Sequence, residues 1–124
     1  MNLNYDCVRD LLLVMEDHIY FKDNLEYNWL FFDKVCELLP SYTKKDIAYA
    51  TLRLQEADYI IVSIDNSDNR FSGASYRSIT FKGHQYLDSV RNPKLWTKIK
   101  EIAGSFSFSI IMKMSEKMII EQLL

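Results

Sequence analysis

Between Tyr42 and Arg77 the chain reads as a helix that runs straight into a hairpin, and few folds accommodate that order. Thr43-Lys44-Lys45-Asp46 opens the helix, with Thr43 a good N-cap and Asp46 three residues later. Ile47, Ala50, Leu54 and Ala57 follow at helical spacing. Tyr59-Ile60-Ile61-Val62-Ser63-Ile64 is aromatic and β-branched, which marks a strand. Asn66-Ser67-Asp68-Asn69 is turn chemistry, and Tyr76-Arg77-Ser78-Ile79-Thr80 is the returning strand. The order predicts a winged helix-turn-helix: an α+β, mostly α fold with a β-hairpin wing and additional C-terminal helices.

The flanking segments fit that frame. Asn4 or Asp6 can cap a first helix that runs to about His18, with Cys7, Val8, Leu11, Leu12 and Met15 on one apolar stripe. Ile19-Tyr20-Phe21 has strand character, Lys22-Asp23-Asn24 reads as a turn, and the short strand is expected to join the hairpin. Leu30 to Leu39 reads as the second helix, with Phe31, Val35, Leu38 and Leu39 in the core and Pro40 as its stop. Pro40-Ser41-Tyr42 is then the turn of the helix-turn-helix. Downstream, Thr80 caps a helix whose Phe81, Tyr86, Leu87 and Val90 are expected to pack inward, while Asp88 and Arg91 face solvent or pair nearby. Pro93 opens the next helix, with Leu95, Trp96, Ile99 and Ile102 as its apolar stripe and Gly104 as its end.

Residues 1–104 are therefore expected to form the winged-helix domain, and 105–124 an amphipathic C-terminal helix. Ile111, Met114, Met118 and Ile119 form the apolar face of that last helix, opposite Lys113, Glu116, Lys117 and Glu121. It can pack on its own domain, pair with a second copy in a homodimer, or lie on a membrane surface. Its mixed charges disfavour the membrane. No apolar stretch reaches the length of a membrane span, and the N-terminus lacks a signal-peptide pattern, so a cytoplasmic protein is expected.

Charge decides how the third helix can be used. Its exposed set is Lys44, Lys45, Tyr49 and Arg53, cationic and aromatic near the N-terminus, which suits duplex DNA. Arg70 in the wing and Arg77 on the returning strand are placed for backbone phosphates, against the repulsion of Asp65 and Asp68. The formal net charge is −2, so the chain as a whole is not a basic nucleic-acid binder. The distribution is uneven, with 3 basic and 8 acidic side chains in residues 1–40 and 8 basic and 4 acidic in residues 71–124.

Nothing in the sequence assembles a catalytic constellation. Cys7 and Cys36 stand alone in apolar helical patterns, without metal spacing, as small buried hydrophobes of a reducing compartment. His18 has only its sequence neighbours Glu16 and Asp17, which do not share a helix face with it, and His84 has no nucleophile paired with it by spacing. Cofactors and metals are not expected.

Three segments in this order carry a resemblance: Asn4 to Leu12, then Tyr42 to Ile47 with Leu54 to Ile60, and above all Ile79 to Trp96, whose Gly83-His84 run through Trp96 is the most specific part. Together they resemble an uncharacterised family of small phage and prophage proteins, a domain of unknown function, over nearly the whole chain. The resemblance implies a bacterial or phage cytosolic setting and a winged-helix-like fold, and it carries no catalytic residues. One departure is Asp58, where such domains often place Gly between helix and strand; Asp58 must turn left-handed or shift the turn. Two functions stay open. One is a winged-helix DNA-binding protein or transcriptional regulator. The other is a protein-interaction module, an adaptor or an inhibitor of a host factor, whose acidic first forty residues meet a basic partner or mimic nucleic-acid charge.

Overall fold

Fourteen residues from Tyr5 to His18 form α1, and Asn4 caps it by accepting a hydrogen bond from the Cys7 amide. The computed structural model describes residues 1–103, so Gly104 and the helix expected over 105–124, with Ile111, Met114, Met118 and Ile119, lie outside the described residues. After α1 come β1 (Tyr20–Phe21), β2 (Tyr27–Asn28), β3 (Leu30–Phe31), α2 (Phe32–Leu38), α3 (Lys44–Glu56), β4 (Ile60–Ser67), β5 (Arg70–Ile79), α4 (Phe81–Val90) and α5 (Pro93–Ala103). The fold is α+β, with five helices and two small antiparallel sheets among the described residues. No described helix is long and apolar enough to cross a membrane.

The caps follow the sequence. Thr43 Oγ1 accepts from the Asp46 amide at 3.1 Å and Thr80 Oγ1 accepts from the Gly83 amide at 3.0 Å. Asp58 takes the left-handed turn (φ 61°), and its carbonyl accepts the Thr80 hydroxyl at 2.6 Å. The β4–β5 hairpin is longer and tighter than its polar sequence suggests. Strands continue through Asp65–Gly73 to a two-residue turn at Asp68-Asn69, both at positive φ (54° and 58°), the turn that matches strand twist.

Two expectations are corrected. The strand at Ile19–Phe21 does not join the main hairpin; β1 pairs only with β2. The strand that joins is Leu30–Phe31, giving a sheet of order β3-β5-β4, with Leu30 opposite Tyr76. Leu30 is thereby drawn into the core and Phe31 turned outward, so the second helix begins at Phe32 rather than Leu30.

The core lies where α1, α2, α3 and α4 meet the sheet, with α5 packed against α4. Leu11, Leu12, Ile47, Leu54, Leu87 and Ile99 are fully buried there. Tyr76 and Thr51 bury their hydroxyls against each other at 2.7 Å, and Thr51 also donates to the Ile47 carbonyl. Tyr86 and Val90 pack inward as expected, but Phe81 is 81% exposed. Gly83 is the residue that faces the core wall, tight against the Tyr59 carbonyl. Phe81, two positions earlier on a helix of 3.6 residues per turn, must then point away. Ile102 is likewise exposed.

Candidate functional site

The expected cationic residues do not converge. Lys44 and Lys45 project from the capped first turn of α3, exposed and without an ion pair among the described residues. One turn and two turns on, the set closes on itself. The Arg53 guanidinium lies 5.1 Å from the Tyr49 ring centre and pairs with Glu56 at 2.9 Å. Arg70 is exposed at the tip of the hairpin. Arg77 is seven residues further along β5, about 20 Å away at strand rise.

Arg77 occupies a bulge. Ile61 pairs with Ser78 and Val62 with Tyr76, so Arg77 has no partner on β4. Its guanidinium stacks 3.8 Å from the Trp29 ring centre, and its Nε donates to Ser75 Oγ at 3.2 Å. A second bulge at Ser72 lets its hydroxyl accept the Ser67 amide and share a hydrogen bond with the Ser67 hydroxyl.

Acids surround the remaining cations. From Phe32 to Gly73, which spans α2, α3 and the hairpin, 5 basic side chains stand against 7 acidic ones. Lys44 shares an open depression with Asp33, Cys36 and Glu37. Burial pushes the Cys36 thiol up, Asp33 adds to this and Lys44 opposes it.

A different surface emerges at Tyr27-Asn28-Trp29-Leu30-Phe31, where side chains alternate. Leu30 points into the core, and Asn28 donates to the His18 carbonyl at 3.0 Å, closing the end of α1. Tyr27, Trp29 and Phe31 point outward, exposed by 58%, 37% and 58%. Phe21 stacks on Tyr27 at 5.0 Å, Tyr27 on Trp29 at 5.6 Å, and Arg77 on Trp29. The period-2 aromatic spacing is in the sequence, but Phe31 also fits the helical spacing of Val35 and Leu38, so spacing alone does not separate strand from helix there.

Clefts flank this stripe. One of about 210 Å³ lies behind the β1–β2 hairpin, between Met15, Ile19 and Tyr27 and the base of β5 at Arg77 and Ile79. The other, about 510 Å³ and open, lies along the outer sheet face. Phe31 and Phe32 line it beside the small residues Ser63, Gly73 and Ser75, with Asp33 and Asp65 at the same groove.

α1 is tied down by polar contacts. Asp6 accepts from Trp96 Nε1 and Lys100 Nζ, both at 2.8 Å. Burial raises the Asp6 carboxyl, but these two hydrogen bonds together with the charges of Lys100 and Arg9 outweigh it and hold the group below its ordinary value. Arg9 donates to the Val90 and Arg91 carbonyls at the end of α4. Arg91 grips Glu16 with two bonds of 2.5 and 2.7 Å, which lower the Glu16 pKa and raise that of Arg91. Asp10 accepts the Tyr42 hydroxyl at 2.6 Å, and burial together with that bond pushes the phenol up.

The cysteines and histidines are dispersed over the fold. Burial pushes the Cys7 thiol up to about 12, with Asp46 and Asp10 adding to it. His18 Nδ1 sits 3.0 Å from the Val14 carbonyl on its own helix, and His84 is exposed in the first turn of α4. Among the described residues no group of His, Cys, Asp or Glu is arranged to hold a metal.

Comparison with known proteins adds kinship. An uncharacterized protein of Haemophilus influenzae is 26% identical over 110 residues, covering 89% of this chain and 85% of its own length. No solved structure matches significantly. A family model described as a hypothetical protein, DUF2513, matches residues 2–109, and the chain belongs to that family.

Proposed function

We propose that the chain is a winged helix-turn-helix module of phage or prophage origin whose task is contact with another protein in the cytoplasm, rather than catalysis or DNA reading. The winged-helix part is supported by the order α1, β3, α2, α3, β4, β5 and by a sheet in which the first strand lies beside the last. The phage setting rests on the resemblance of the Gly83–Trp96 run.

The preference for a protein partner rests on one observation: the α2–α3–hairpin surface carries more acid than base. Duplex DNA demands several available cations on one face, because each phosphate contact replaces condensed counterions. Here Arg53 is held by Glu56 and Arg77 by Trp29.

A DNA-reading role is the second reading. Lys44, Lys45 and Arg70 favour it, being exposed at the start of α3 and at the hairpin tip. Titrating labelled duplex DNA at low and at physiological salt, followed by anisotropy, separates the two. The proposal expects no salt-dependent binding. Binding that falls steeply with salt and vanishes in Lys44→Ala/Lys45→Ala establishes the second reading instead.

A further inference from the structure

We infer that the outward aromatic stripe Tyr27–Trp29–Phe31 is the docking surface for a basic, amphipathic segment of a protein partner. The inference rests on the protein-contact reading above and names its site and the chemistry of its ligand.

Three observations converge on the stripe. First, its rings are exposed although they are large and apolar, and contiguous exposed aromatic surface marks contact sites. Second, the rings are already positioned. The tilted contacts of Phe21 with Tyr27 and of Tyr27 with Trp29, and Arg77 over Trp29, fix the orientation of Tyr27 and Trp29, and the Asn28–His18 bond anchors the strand behind them. Binding then forfeits little side-chain freedom. Third, the margin carries more acid than base, its cations being Lys22 and the Arg77 that lies on Trp29. Asp23 and Glu26 precede the stripe in the β1–β2 turn, and Asp33 and Asp65 line the groove beside Phe31. None of these four carboxylates makes an ion pair among the described residues, whereas Asp6 and Glu16 on α1 are both engaged.

The charge selects the occupant. Bare aromatic rings would also stack on nucleobases, but the carboxylates repel a phosphate backbone and an anionic lipid surface alike. They attract lysines or arginines that flank apolar side chains. Apolar anchors would sit on Tyr27 and Phe31, and a basic side chain would reach Asp33 and Asp65 across the small residues of the groove.

The test uses the full chain and a fluorescein-labelled amphipathic Leu/Lys helix, with the matching Leu/Glu helix as control. The wild type is expected to bind the Leu/Lys helix and not the Leu/Glu helix. Tyr27→Ser/Phe31→Ser is expected to weaken binding by about tenfold or more with an unchanged melting temperature. If that variant folds poorly, Glu26→Gln/Asp33→Asn/Asp65→Asn serves in its place, with the same loss expected.

Absence of binding by the wild type, equal binding of both helices, or full affinity in the variants overturns the inference. So does self-association in sedimentation that the stripe variant abolishes, which assigns the surface to a second copy. Binding of a single-stranded oligothymidine that is lost in the same variant assigns it to nucleic acid and overturns it too. Duplex DNA binding through Lys44 and Lys45 would defeat the protein-contact reading alone, since it touches neither the stripe nor these variants.

Discussion

On the side where α1 meets α4 and α5, Asp6, Arg9 and Glu16 all reach partners at least 75 residues away in the chain. Along Tyr20–Phe31 and the outer sheet face, by contrast, Asp23, Glu26, Asp33 and Asp65 make no ion pair among the described residues, and aromatic rings stand in the open. Both sides draw on similar residue types. On the first, charge is spent joining distant parts of one chain, so that surface has little left to offer a ligand. On the second, charge and rings are kept outward on a short hairpin that would be marginal alone. The difference separates a surface that serves the fold from one available for binding.

The strongest way to break the closed side is to push α4 away from the start of β4. A Cβ at Gly83 would collide with the Tyr59 carbonyl oxygen, lie 2.9 Å from its carbon and 2.8 Å from Ile79 Cγ2. Backbone atoms cannot step aside as a flexible side chain can. Gly83→Ala should cost about 3 kcal/mol or more, or prevent folding, as read from urea unfolding. A loss below about 1 kcal/mol would mean that α4 is not held there.

Thr51→Val probes the polar pin beneath both sides. The variant keeps the shape but removes the partner of the Tyr76 hydroxyl, which is buried in the core. A loss of about 1–3 kcal/mol is expected, the range for leaving a buried donor or acceptor unsatisfied. Unfolding in urea measures it, and an unchanged midpoint would show that this hydrogen bond does not hold α3 to the sheet.

The helices that frame the closed side were legible in the sequence, whereas the long-range bonds that tie them together, and much of the open side, were not. Asn4, Thr43 and Thr80 announced their helices because a cap is a local event, one side chain and an amide three residues on. Asp58 was legible for the same reason. Phe31, by contrast, satisfied two periodicities at once, and only its tertiary pairing with Ser75 on β5 chose the strand. Phe81 looked apolar enough for the core, and it was Gly83 that took the core position because only it lets α4 approach Tyr59. Arg53 and Arg77 were correctly placed near α3 and the returning strand. Their engagement with Glu56 and Trp29 depends on which face each presents, and for Arg77 on a bulge that no spacing announces.

Acid should loosen the closed side selectively. Glu16 and Asp6 have folded pKa values below their ordinary 4.5 and 3.8. Their contribution is present above those ordinary values and is lost as pH falls through the lower folded ones, because the unfolded chain then binds more protons. The Arg91 and Glu16 side chains are 42% and 30% exposed, so solvent screening limits the pair to about 0.5–1 kcal/mol. Melting temperature should decline below about pH 4.5 in the wild type, and the decline should be shallower in Asp6→Asn/Glu16→Gln. Equal slopes in the two proteins would show that these contacts do not stabilise the fold.

The smallest expected effect is the most informative about the comparison. Phe31 and Tyr27 are more than half exposed, and Phe31 pairs through its backbone with Ser75, an interaction any side chain permits. Phe31→Ser should shift stability by no more than about 0.5 kcal/mol, as an exposed position away from the core does. Removing a large apolar group from water can even offset the loss of its few contacts. A cost above about 1 kcal/mol in urea unfolding would mean that the ring buttresses the sheet, and the open side would then be a second structural face. A near-zero cost leaves an exposed aromatic ring that the fold does not need for its stability, and a docking role accounts for its placement.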